Sequence, residues 1–242
     1  MMSRLLLDIA DLRYRRGRGD QAFSVEVPRL RLECGELVAL TGESGSGKST
    51  VLELLGLVAE PNREAVFKWH DCGGDVVDVA GLWYAGDQRG LARMRASSVG
   101  FVLQTGGLLP FLSVRDNIVI NRRLVGIEID DSILDHLVEH LEIRHLLDKL
   151  PGELSIGQQQ RVSIGRALAH QPMLLLADEP SSALDPRLAD KVLALLLDLA
   201  SRFDIAVVIA THEQRRVAEL GLREIRAEPW DGQTRYGSRF LG

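Results

Sequence analysis

Apolar residues recur with two different periods along the 242-residue chain. Alternation over Leu5 to Leu12 and Ala22 to Val27 predicts two strands of an antiparallel ribbon joined by a basic, glycine-bearing tip. Leu37 to Thr41 is a short apolar run, read as a buried strand, and Ser49 to Leu57 is read as a helix, with a glycine-rich loop between them. Strand, loop and helix in that order open an α/β domain. Pro61 to Met94 is less regular and predicts a small, partly β lobe in which Trp69 and Trp83 are packing residues. Val99 to Leu103 is another short strand. The stretch after it is mostly helical: Ile133, Leu134, Leu137, Val138 and Leu141 fall on one helical face, which therefore meets a core. Pro151 and Gly152 break this segment. Gln158 to His170 then reads as a helix, Met173 to Ala177 as a central parallel strand ending at two acids. Arg187 to Arg202 is a helix with a polar stripe at Asp190, Lys191 and Asp198, and Ile205 to Thr211 is a further central strand. From Glu228 onward the tail is polar and glycine-bearing, and is expected to be loosely ordered.

The length suits one large domain, or one with an inserted lobe. A net charge of -5 gives no global attraction to nucleic acid or anionic lipid. "RYRRGRG", Arg13 to Gly19, is locally basic and reads as a solvated hairpin tip. Cys34 and Cys72 have neither metal-ligand spacing nor the pattern of a disulfide framework, so both are expected as plain thiols in a reducing compartment. The first apolar run carries Asp8 and Asp11 and no small-residue cleavage pattern, which argues against a signal peptide. No apolar stretch reaches the roughly 18 to 20 residues of a membrane span.

The loop carries the first chemistry. "GESGSGKS" (Gly42, Glu43, Ser44, Gly45, Ser46, Gly47, Lys48, Ser49), followed by Thr50, fits the G-x-x-x-x-G-K-[ST] pattern. Glycines let successive backbone N–H groups converge on anionic oxygens, and the following helix adds its free N–H groups and positive dipole end. Lys48 brings a point charge to the outer phosphates, and the Ser49 hydroxyl can take a place on Mg²⁺. A Gly/Ser hinge would leave Lys48 without a purpose. Asp178, at the carboxyl end of its apolar run, stands where α/β sheets bind ligands and can hold Mg²⁺. Glu179 is next to it and is placed to polarise an attacking water.

The order of the remaining motifs resembles the ATP-binding subunits of ABC transporters nearly end to end. The signature, usually L-S-G-G-Q, stands as Leu154, Ser155, Ile156, Gly157 and Gln158; "SSALD" ends on Asp185; "VGFVLQ" ends on Gln104; "VVIATH" ends on His212; and Tyr14, in "LRYRR", matches the aromatic that stacks on adenine. "LLPFLSVRDNI" and "LLLADEPSSALD" look most like the ATPases of lipoprotein-release, macrolide-export and cell-division type complexes. The resemblance implies an α/β fold: a P-loop NTPase core with a mixed sheet, an antiparallel β lobe and an inserted α-helical lobe near residues 105–165, all one ATPase domain. It implies ATP and Mg²⁺ as cofactors, with Ser49, Gln104 and Asp178 at the metal and Lys48, Glu179, His212 and Gln104 in catalysis. It further implies an ATP-sandwiched homodimer or heterodimer in which Ser155, Ile156, Gly157 and Gln158 act in trans and Asp185 communicates across the pair. The expected partner is an integral membrane permease, with no nucleic acid, and the expected location is the cytoplasmic face of the inner membrane.

Phe23 is a second candidate for the base. Ile156 departs from the usual glycine: either it keeps ordinary dihedrals with its side chain turned away, or the signature is weakened. Gly165 stands where a more helix-favouring alanine is usual, at a cost of up to ~1 kcal/mol. A non-transport ABC ATPase acting on nucleic acid, motivated by the basic tip, and a weakly hydrolysing ATP-gated module, motivated by Ile156, are the competing classes.

Overall fold

The computed structural model describes residues 4–17, 22–71, 74–128, 131–229 and 236–242. Cys72 and the end of the basic tip, Arg18 and Gly19, lie outside them. The chain forms two compact units, residues 1–92 with 208–242, and residues 93–207.

The first unit is built on a mixed sheet. Strands β1 (Leu5–Arg16) and β2 (Phe23–Glu33) form the expected antiparallel ribbon, but each runs further than the alternation alone indicated. β4 (Val66–His70) adds to the free edge of β1, and β5 (Val76–Asp78) to β4. On the other side β10 (Tyr236–Leu241) runs parallel to β2 and antiparallel to β9 (Arg223–Pro229), which runs parallel to β3 (Leu37–Thr41). Residues 236–241 are thus a strand, which corrects the expected loose tail for that stretch. β2 and β9 each offer an edge of backbone groups that must be paired, and the buried Phe240 anchors the strand between them. Its short polar and basic sequence hid this role. The 61–94 stretch is also more helical than predicted: after β5 come α2 (Val79–Tyr84), capped by Asp78, and α3 (Gln88–Ser98), which leads into the second unit. Helix α1 (Lys48–Leu55) buries Val51, Leu52, Leu54 and Leu55.

In the second unit β6 (Val99–Val102) and β7 (Leu174–Asp178) pair in parallel. Around them lie α4 (Val114–Val125), α5 (Asp131–His140), α6 (Ile156–Leu168) and α7 (Pro186–Arg202). β8 (Ala206–Thr211) begins here, the Ala206 N–H donating to the Met173 carbonyl at 3.1 Å, and carries the chain back to the first unit, where α8 (Gln214–Glu219) follows. Leu134, Leu137, Val138 and Leu141 are buried, as their spacing predicted, while Ile133 is half-buried. Each such side chain contributes about 1.5–3 kcal/mol. The predicted polar stripe of α7 faces outward, with Val192, Leu193, Leu196 and Leu199 inside. Gly165 has a packing reason: a Cβ there would lie 2.9 Å from Leu141 Cδ1 and 3.5 Å from Ile118 Cγ1, so the missing methyl lets α4 and the end of α5 approach α6.

Candidate nucleotide site

In the first unit the loop from Gly42 to Gly47 delivers the chain from β3 into α1. Gly47 is the N-cap, with φ 88°, and no side chain caps the helix or brings an acid to its first turn. The loop therefore presents backbone donors to whatever anion approaches. Gly47 is required on two grounds. Its dihedral is left-handed, and a Cβ would stand 2.6 Å from Val25 Cγ2 and 2.9 Å from Phe23 Cε1. Lys48 is only 5% exposed. Its Nζ donates to the carbonyls of Gly42 and Glu43, each at 2.9 Å, so the ammonium sits inside the curl of the loop. Ser46 Oγ is buried with no hydrogen-bond partner among the described residues. A buried cation, an orphaned hydroxyl and an uncapped helix start fit a phosphate chain. Ser49 is exposed beside them and Thr50 is buried; Glu43, Ser44 and Gly45 form the exposed tip.

Beneath the loop, the Thr41 hydroxyl donates to Glu224 Oε1 at 2.5 Å. That hydrogen bond, with Arg226 helping and burial opposing, holds the Glu224 carboxyl below its ordinary value. Sequence reasoning missed Glu224, because its strand contact is 183 residues away. Tyr14 is half-buried, pairs with Val25, and lines a cavity of about 880 Å³ together with Arg13, Arg15, Trp83 and Arg239. Phe23 instead lies against Gly47. Arg13 of the basic tip is tied down: its Nε bonds the buried Glu26 at 3.0 Å, and Arg239 bonds the other oxygen of the same carboxylate at 2.5 Å. His212 follows β8 and is exposed.

In the second unit Asp178 ends β7 and Glu179 leaves it with φ 42°. A left-handed glutamate is a strained position, of the kind found where a side chain must be aimed. Ser182 Oγ donates to the Glu179 carbonyl at 3.0 Å, and Gln104 Nε2 donates to Ser182 Oγ at 3.0 Å. Gln104 is therefore joined to the Glu179 backbone through a serine that sequence reasoning did not single out, although it falls within "DEPSS". The segment after Gln104 is clamped to α6: Arg166 donates to the carbonyls of Gly107 and Gly106 at 2.7 and 3.1 Å. Burial lowers the proton affinity of that guanidinium.

The signature forms the start of α6. Ser155 is the N-cap: its Oγ accepts from the Gln158 N–H at 3.3 Å, while its own N–H donates to Gln158 Oε1 at 2.9 Å. A hydroxyl that accepts keeps its proton for a further partner. Ile156 takes ordinary helical dihedrals as the first residue of the helix, with 60% of its surface exposed. The ordinary dihedrals of the first alternative are therefore present. Gly157 is buried, and a Cβ there would come 2.5 Å from Leu188 Cδ2. Leu188 in turn gives its N–H to Asp185 Oδ1, the N-cap of α7, at 3.2 Å. Gly157 and Asp185 thus meet through one leucine.

Residues 25–182 match the family described as ABC transporter. The chain belongs to that family. Among its relatives, the lipoprotein-releasing system ATP-binding protein LolD 1 of Rhodospirillum rubrum is 40% identical over 186 residues, covering 76% of this chain and 77% of that protein. The macrolide export ATP-binding/permease protein MacB of Marinobacter nauticus is 36% identical over 229 residues, 93% of this chain but 34% of that longer protein. Among solved structures, the dimeric post-hydrolysis state of the ATP-binding cassette MJ0796, bound to ADP and Pi, aligns with a TM-score of 0.76 at 28% identity, over 91% of this chain and 94% of that one. This ABC protein is an ATP-binding, P-loop α/β ATPase of transporter type, in the group of LolD and MacB. None of its described helices is long and apolar enough to cross a membrane.

Proposed function

We propose that this ABC ATPase hydrolyses Mg²⁺-bound ATP between two nucleotide-binding subunits, and that closing and reopening of the pair drives a separate membrane permease. The two units act as one ATPase domain. Lys48 and the Gly42–Thr50 amides hold the β- and γ-phosphates, and Tyr14 carries the base. Ser49, Asp178 and Gln104 supply oxygen donors, the chemistry Mg²⁺ takes. Glu179 polarises the attacking water, and His212 holds the γ-phosphate. Ser155 and the amides of Ile156 and Gly157 reach the γ-phosphate of the opposite copy, Gln158 fixes Ser155, and Asp185 relays the state of one site to the other. ATP favours the closed pair because only there does the γ-phosphate gain these contacts.

The observation that carries this reading is the start of α6. Ser155 and Ile156 stand exposed, with helix N–H groups that have no intrahelical acceptor. Support also comes from the dimeric state of the MJ0796 cassette. The protein belongs on the cytoplasmic face of the inner membrane, held there by the permease. The tying of Arg13 to Glu26 removes one charge from the basic tip that motivated a nucleic-acid role.

The test is light scattering of a Glu179→Gln variant, which should bind ATP without consuming it. Dimer is expected with ATP and monomer with ADP. A Glu179→Gln chain that stays monomeric at saturating ATP overturns the sandwich. Coupling is read separately, as a rise in ATP turnover when the permease is supplied in detergent or nanodiscs; turnover that ignores the permease overturns that part.

A further inference from the structure

The last turn of α5 carries two histidines on one face. The rings of His136 and His140 have centroids 4.0 Å apart and planes tilted by 42°. Phe203, just past α7, meets His136 edge-on at 5.8 Å. Both histidines are half-buried, so each is reachable from solvent. His140 Nδ1 lies 2.8 Å from the His136 carbonyl oxygen. A carbonyl can only accept, so this nitrogen carries the proton, and in the neutral ring Nε2 keeps its lone pair. A metal-ligating histidine is held in the same way, with one ring N–H on a backbone carbonyl and the other nitrogen on the ion.

We propose that His136 and His140 form a two-histidine clip for a divalent transition ion of the Zn²⁺ class, separate from the Mg²⁺–ATP site. Residues four apart on a helix place two imidazoles on one side, the spacing used by helical zinc sites. With Zn–N near 2.1 Å and tetrahedral angles, two ligating rings have centroids about 5.3 Å apart, so the pair must splay by a little over an ångström. Imidazole selects Zn²⁺, Ni²⁺ or Cu²⁺, whereas Mg²⁺ prefers oxygen. The carboxylates nearby are engaged: Asp198 with Arg202 at 2.7 Å, Asp135 and Glu139 with Arg144 at 2.9 and 2.6 Å. Among the described residues no group of three or more potential ligands forms, so water completes the coordination and binding is weaker than at a structural zinc site.

The experiment is calorimetric titration of the untagged chain with ZnCl₂ at about pH 7.5. One site is expected. His136→Gln and His140→Gln should each weaken it by at least about tenfold, whereas His145→Gln, on the exposed turn after α5, should leave it within about twofold. Excess MgCl₂ should not displace the zinc. Circular dichroism checks that helix content is kept. Zinc affinity unchanged in both glutamine variants, or lost to Mg²⁺, overturns the clip.

Discussion

Lys48 shows what one side chain does at the phosphate loop. Its ammonium is buried and its two carbonyl partners belong to the loop itself, so the residue both shapes the curl and charges it. Lys48→Ala should cut ATP turnover by about a hundredfold or more, because charge stabilisation of the transferring phosphoryl is the main catalytic term; phosphate release measured on protein with an unchanged melting profile checks this. The carboxyl of Glu224 gives a prediction of pH dependence. Its folded-state value is depressed, first by the Thr41 hydroxyl, so its contribution to stability is full above the ordinary carboxylate range and is lost as pH falls through the lower folded value. Thr41→Val should cost about 1–2 kcal/mol at neutral pH. Below pH ~4 the difference between variant and wild type should shrink. Urea unfolding at the two pH values measures both. At this scale the sequence was legible where a residue pattern dictates local geometry, as in the left-handed Gly47 that leads into Lys48 or Asp178 at the end of β7. It was silent on Ser182 and Glu224, which are ordinary residue types made important only by what the fold brings beside them.

Elements were legible where burial imposes a period. The face of α5, the stripe of α7 and the apolar run of β7 all follow from side chains that must leave water. β10 was not, because a strand inserted between two others is specified mainly by backbone hydrogen bonding, which leaves little trace in a short polar tail. One close approach and one buried hydrogen-bond cluster were equally invisible. A Cβ on Gly100 of β6 would collide with the Ala167 carbonyl of α6, an atom that cannot swing away. Gly100→Ala should therefore destabilise the second unit by about 2–3 kcal/mol, as overpacking against backbone does, and a denaturant midpoint will show it. Asn117 of α4 is fully buried; it accepts from the Leu109 N–H at 2.8 Å and donates to the carbonyls of Leu109, Leu112 and Ser113, each at 3.0 Å. It fixes the turn that leaves Phe111 exposed. Asn117→Ala strands these groups and should cost about 1–3 kcal/mol, with proteolysis opening first between residues 108 and 113.

At the scale of the whole molecule, the sandwich makes a claim that no single chain can satisfy. In the proposed sandwich every ATP site would take its phosphate loop from one subunit and its signature from the other, so lesions at Lys48 and at Ser155 would belong to the same site only when they sit on different chains. Lys48→Ala and Ser155→Arg should each be inactive as homodimers: the first lacks the charge on both loops, the second blocks both helix starts. In a mixed dimer one site inherits both lesions and the other inherits neither. Random pairing makes half of the dimers mixed, and half of the sites in those are whole, so an equal mixture should recover about a quarter of wild-type turnover if the sites fire independently. Recovery below that measures the dependence of one site on the other, which the route from Gly157 through Leu188 to Asp185 makes physically reasonable. Ile156 enters here as well. Its side chain is exposed at the start of α6, the end that the proposed sandwich turns toward the opposite loop, so in a homodimer Ile156→Gly should shift the ATP dependence of pairing, whereas a subunit matched to a different ATPase would show it only with that partner. An equal mixture no more active than its two components measures complete dependence between the sites if the mixed pair still traps one ATP, and if it traps none, both motifs serve the same chain and the pairing has to be abandoned.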